Sequence, residues 1–183
     1  GISRQKIKTL LQKYGFLDEK YGGRTSAGWY LMQFANLGFV LNEDVLDFLL
    51  LHDADQIILP SFQMFSHKTV SRVDLTPRIN VKVGGNRTLF YDYAVRRLLG
   101  IQTIQPPDSA GPESTFVTHS WVAYKPYIRE LLELLGGMTS SKNTPAPWAD
   151  NIIKCLNPKR PASGFGESST WFTFVLSKYA SHF

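Results

Sequence analysis

Two aspartates one residue apart, Asp53 and Asp55, close the mainly apolar run Val45-Leu46-Asp47-Phe48-Leu49-Leu50-Leu51-His52. Paired carboxylate oxygens suit a hard divalent cation such as Mg2+ or Mn2+. A second constellation, Gly164-Phe165-Gly166-Glu167-Ser168-Ser169, puts a carboxylate at a helix start behind a glycine-rich loop. That is a place from which a general base can face a cleft. Both have plainer readings: turns favour aspartate, and the helix dipole favours glutamate in a first turn. Gly28-Trp29-Tyr30 with Gln33 sets two aromatics and an amide near one helix end, where an indole N–H and an amide could meet sugar hydroxyls or phosphates. Aromatic residues at helical spacing also serve simply as core. His119 and His182 are candidate third ligands beside the carboxylates, because imidazole with two carboxylates is an acceptable Mn2+ site. Each could equally be an ordinary hydrogen-bonded histidine. Arg24, Lys68, Arg72 and Arg78 are candidate phosphate contacts.

The elements that must position these groups follow from periodicity and punctuation. Ser3 can cap a helix of about ten residues in which Ile7, Leu10, Leu11 and Tyr14 recur at helical spacing, with Gly15 as its end. After a polar loop over 18–26, Ser26 is the expected cap and Gly38 the expected stop of a second helix. The unalternated apolar residues Phe48 to Leu51 read as a strand buried on both faces, with the aspartates at its exit and an apolar run resuming at Ile57. Alternating β-branched residues suggest short strands over 68–74 and 77–83. A helix is expected over 86–99, stopped by Gly100, then a proline-containing loop over 105–113. Residues 115–121 read as a further buried strand. A periodic helix over 125–135 ends at Gly136-Gly137, a polar linker covers 139–147, and two helices follow over 148–156 and 167–179.

The expected fold is therefore one α/β domain over residues 1–183, with a central, mixed, mainly parallel sheet flanked by helices and a hairpin-like excursion between 66 and 84. Residues 48–52 should form its central strand, hydrogen-bonded on both sides. In such a sheet, ligands bind at the carboxyl ends of the strands. The chain has 183 residues, 43% of them hydrophobic, enough for a sizeable core. A formal charge of +5 favours a phosphate-bearing partner but is too mild for a nucleic-acid groove, so no nucleic acid is expected. The single cysteine, Cys155, excludes an intramolecular disulfide and a cysteine-based zinc site, which makes a reducing compartment such as the cytoplasm the simpler expectation. No apolar run approaches the roughly 18 residues of a membrane span, and the start shows no signal-peptide pattern.

In the order given, Gly28-Trp29-Tyr30-x-x-Gln33-Phe34, Asp53-x-Asp55, His119-Ser120, a long helix and then Glu167-Ser168-Ser169, the chain resembles the GT-A-type glycosyltransferases. The likeness is to a sparsely characterised branch with microbial and large-virus members, and it runs over about residues 24–182. The resemblance implies a Rossmann-like domain and a nucleotide-sugar donor, by default a UDP-sugar, whose sugar passes to a hydroxyl of a glycan acceptor. It also implies that Asp53 and Asp55 hold Mn2+ or Mg2+ on the donor diphosphate, Asp55 more directly, with His182 where the family often has a C-terminal metal-binding histidine. Glu167 matches the carboxylate that deprotonates the acceptor in inverting members. Trp29, Gln33 and Arg24 would lie on the donor side, and His119 and Ser120 near the acceptor. Members normally open with a strand, helix and second strand that receive the base, whereas this chain opens in a charged helix; it is therefore expected to lack that natural N-terminal segment.

Two rival classes remain. A phosphohydrolase ending a strand on D-x-D-x-Thr would place a threonine or valine where this chain has Ile57, and would add a later Asp-Asp pair that is missing here. A non-catalytic basic module would instead stack Trp29, Trp121, Trp148 and Trp171 on sugars or bases.

Overall fold

The computed structural model of the chain describes residues 2–18, 20–21, 24–53, 82–83, 88–105, 114–115, 120–138 and 146–182. Helix α1, Arg4–Lys13, starts where Ser3 Oγ accepts from the Lys6 N–H at 3.3 Å, and it buries Ile7, Leu10 and Leu11. Gly15, at φ 76°, takes the left-handed conformation that ends it. The expected loop after it contains two short antiparallel strands, β1 (Lys20–Tyr21) and β2 (Arg24–Thr25). Helix α2, Ser26–Phe39, is capped by Thr25 rather than Ser26, with Thr25 Oγ1 accepting from the Gly28 N–H. It runs through Gly38, which is not at positive φ and so is no stop.

Strand β3, Phe48–His52, pairs antiparallel with β6, Ser120–Tyr124. Strand β4 (Lys82–Val83) pairs antiparallel with β5 (Ser114–Thr115). Between them lies α3, Thr88–Leu99; after β6 come α4, Lys125–Leu134, α5, Pro147–Lys154, and α6, Glu167–Tyr179. A 3-10 turn, Pro161–Ser163, precedes α6 and another, Ala180–His182, follows it. The expected strands over 68–74 and most of 77–83, and with them the excursion between 66 and 84, lie outside the described residues.

The expected central, mainly parallel sheet is corrected by this topology. The described residues hold six α-helices and three two-stranded sheets, all antiparallel. Strand β3 has one described partner instead of two, and its five residues are half-buried. The physical reason is that an unalternated apolar run reports demand for cover without saying what supplies it. Here Phe48 stacks on Tyr124 across the pair at 4.6 Å, and Leu49 and Leu51 pack on a core made mainly of helices. The cation argument drawn from the carboxyl ends of parallel strands loses that premise.

The core is built by α1, α2, α4, α5 and α6. Phe34 of α2 meets Trp148 of α5 edge-on at 5.2 Å and Phe165, ahead of α6, at 6.2 Å. Lys13 and Tyr14 both bond Asp150 at 2.8 Å, tying α1 to α5. Lys125 is buried at the start of α4. Its ammonium donates to the Asn42 and Val45 carbonyls at 2.7 and 3.3 Å, and its backbone N–H to Asp47 O at 2.7 Å. Three bonds from one residue thus hold the segment that leads into β3, satisfying a buried charge with carbonyl dipoles. Among the described residues no helix is long and apolar enough to cross a membrane.

Candidate functional site

Helix α6 opens without a side-chain cap, since its cap position is Gly166. Its first-turn N–H groups must find acceptors elsewhere. One acceptor comes from α2: Gln33 Oε1 takes the Glu167 N–H at 2.8 Å. One helical step further along α2, Asn36 Nδ2 donates to Glu167 Oε1 at 3.0 Å. One turn before Gln33, Trp29 Nε1 donates to Phe165 O at 3.2 Å. Positions 29, 33 and 36 share a helix face by their spacing of four and three, so a single stripe of α2 grips the chain from Phe165 to Glu167. Tyr30, beside that stripe, accepts from the Gly164 N–H at 3.0 Å and donates to Pro161 O. Burial pushes its phenol pKa well up, so it remains a donor. The loop before α6 is thus fixed by polar groups of α2, and Gly166 lies against the Tyr91 ring of α3.

Glu167, at the end of this arrangement, is buried, with 7% of the residue exposed. Burial pushes its pKa up to about 7; the Asn36 amide and the backbone N–H groups of Glu167 and Ser168 oppose the rise, and the negative charge of Asp53 adds to it. Asp53 therefore acts on Glu167 electrostatically from the end of β3. The residue before it, His52, shares a hydrogen bond of 2.6 Å between Nδ1 and the Oγ of Ser120, its cross-strand partner. A carboxyl that titrates near neutrality can take a proton from a hydroxyl and return it within one catalytic cycle.

Of the residues singled out by sequence, Gln33 bonds the Glu167 backbone directly, Trp29 bonds the nearby Phe165 carbonyl, Asp53 adds its charge, and Ser120 on β6 bonds His52, the residue before Asp53. Trp29 and Gln33 use the very atoms expected to meet a ligand, the indole N–H and the amide oxygen, on the backbone at Phe165 and Glu167. Asp55 and His119 lie outside the described residues, as do the side chains of Arg24 and His182; Arg24 itself is in β2 and His182 in the last 3-10 turn. Among the described residues no group of three or more His, Cys, Asp and Glu forms a cation site. Asn36 and His52 join the site without a sequence signal of their own: Asn36 shares the α2 face of Gln33 three residues on, and His52 is placed by the β3–β6 register.

No protein-family model, curated protein or solved structure matches this chain.

Proposed function

We propose that the chain transfers a sugar from a nucleotide-sugar donor, by default a UDP-sugar, to a hydroxyl of a glycan acceptor, with Glu167 as general base. The observation that carries this reading is the Glu167 carboxyl, buried, held by Asn36 and raised to about 7. A base in that range is matched to removing a proton from an attacking hydroxyl at neutral pH. Support also comes from the convergence of the α2 stripe, the end of β3 and the start of α6, which are far apart in sequence and carry three of the motifs behind the resemblance. Attack by a hydroxyl that Glu167 deprotonates, on the face opposite the departing diphosphate, gives inversion at the anomeric carbon.

Asp53 supplies an oxygen donor of the type that Mg2+ and Mn2+ prefer, and Asp55, with His182, would complete the set. A cation there would neutralise charge on the departing diphosphate. The single free Cys155 suits the reducing cytoplasm, where nucleotide sugars are at hand. The stacking module is the weaker reading: Trp121, Trp148 and Trp171 are 2%, 2% and 1% exposed, so three of its four indoles are core.

The test is nucleoside-diphosphate release from a panel of nucleotide sugars with Mn2+ and simple glycan acceptors. Glu167→Gln keeps the shape and should slow turnover by about 100-fold or more. Near-normal turnover of that variant, or a product with the donor's anomeric configuration, removes Glu167 from the base role.

A further inference from the structure

We infer that Asn36 is a positioning residue for the Glu167 carboxyl, an assignment that deepens the reading above and rests on it for its catalytic meaning. The three bonds from the α2 stripe are unequal. Trp29 and Gln33 reach the backbone, at Phe165 O and at the Glu167 N–H, and so fix where the loop runs. Asn36 reaches the carboxyl itself, at Oε1. Its amide is a neutral donor, which favours the ionised carboxylate without adding a charge that would lock it there. A lysine or arginine in its place would hold the group permanently ionised, and an apolar residue would leave a buried carboxyl oxygen without this donor.

Among the described residues, the groups that face Glu167 from the packed elements are Asn36 and Gln33 of α2, Asp53 at the end of β3, and the N-terminal N–H groups of α6 itself, with the Tyr91 ring of α3 against the adjacent Gly166. Asp53 and burial oppose ionisation, while Asn36 and the N–H groups favour it. Asn36 is the one of these partners that can be altered without touching the loop backbone or the strand end.

Two variants separate positioning from packing. Asn36→Asp has the same shape and removes the donor while adding negative charge; Asn36→Leu removes the donor without charge. The readout is the midpoint of the Glu167 carboxyl, followed by NMR on protein carrying 13C-labelled glutamate, together with kcat and KM for whichever nucleotide sugar the wild type turns over. Both variants should raise the midpoint, Asn36→Asp by more, about 1–3 units, as expected for a like charge at contact. They should lower kcat at neutral pH and leave the donor KM in place. A purely packing role predicts a wild-type midpoint in Asn36→Leu, since the shift in Asn36→Asp includes the added charge whatever the amide does. An unchanged midpoint in folded Asn36→Leu overturns the assignment whatever the turnover. A wild type that turns over no nucleotide sugar overturns the transfer reading instead, and the midpoints still decide whether Asn36 sets the carboxyl.

Discussion

Helices α4 and α6 pack against each other and are built on opposite plans. Helix α4 is amphipathic: Ile128, Leu131 and Leu132 are fully buried, and Glu133 and Leu134 face solvent. Helix α6 is buried on every side from Glu167 to Val175, yet five of those nine residues are Glu167, Ser168, Ser169, Thr170 and Thr173. A helix buried all round is ordinarily apolar all round. Putting a carboxyl and four hydroxyls inside costs free energy unless each is bonded, so the stability of this half of α6, unlike that of α4, depends on which of them find partners.

The largest effect should fall on the α4 side. Leu131→Ala leaves a cavity where α4 meets the core and should cost about 2–5 kcal/mol of stability. Urea unfolding at several pH values checks it, and the loss should be the same at each, because the atoms deleted are apolar and sit in the apolar core. A pH-dependent loss would mean that α4 and α6 are not separable in this way.

On the α6 side the sign reverses. The Glu167 pKa lies at about 7 in the folded chain against an ordinary 4.5. Between those values the folded state binds the proton and the unfolded state does not. The contribution of this group is therefore fully present below about pH 4.5, falls as pH rises through the interval and is lost above pH 7. The full difference is about 3 kcal/mol. Glu167→Gln, which stays neutral, should thus be more stable than wild type at pH 8 by up to that amount and nearly equal to it at pH 4.5, even as its turnover collapses. Thermal unfolding of the pair across pH 4.5 to 8 decides this, and parallel curves would refute the buried, titrating carboxyl.

The same contrast explains what the sequence disclosed. The α4 plan was open to reading: periodic leucines gave its extent to within a residue, and Gly136 and Gly137, at φ 128° and 90°, end it as expected. Helices α1 and α6 and the stop at Gly100 were legible on the same grounds, local periodicity and local punctuation. The sheet was not, because the apolar run at Phe48–His52 carries no information on whether its partner runs parallel or antiparallel, and the partner begins at Ser120. The start of α6 fell between. Glycines and a glutamate marked a helix start with a carboxylate, but the partners that bury and tune that carboxylate, Asn36 and Asp53, come from over a hundred residues away. Asn36 looks like any polar residue on a helix until the fold brings it to Glu167.

A smaller effect tests how tightly the loop before α6 is held. A Cβ at Gly166 would sit 3.0 Å from Tyr91 Cε2 and 3.1 Å from Cδ2, against a ring that is itself 4% exposed. The ring has little room to retreat, so Gly166→Ala should cost about 1–3 kcal/mol, the usual range for overpacking. Its backbone φ of −128° is open to alanine, so the cost is steric and not conformational. Pairing it with Tyr91→Ala should recover most of that loss in a double-mutant cycle; strict additivity would show that the strain lies elsewhere.

The smallest effect is the sharpest probe of why α6 keeps its polar groups. Thr170 Oγ1 bonds back to Gly166 O at 2.9 Å, and Thr173 Oγ1 accepts from the Ile104 N–H at 3.3 Å, so these two hydroxyls have work within the fold. Ser169 is fully buried and its Oγ finds no partner among the described residues. A buried hydroxyl without a hydrogen bond costs about 1–3 kcal/mol in desolvation. Alanine removes that oxygen, keeps the rest of the side chain and has the better helix propensity. Ser169→Ala should therefore raise stability by about 1 kcal/mol, measured as an increase in the urea midpoint with an unchanged slope. The result separates two accounts of α6. Stabilisation with turnover intact makes Ser169 a tolerated imperfection of the fold, with no part in the reaction. Stabilisation with a fall in turnover makes the hydroxyl a second group maintained for the reaction, and destabilisation would show that it is hydrogen-bonded in solution.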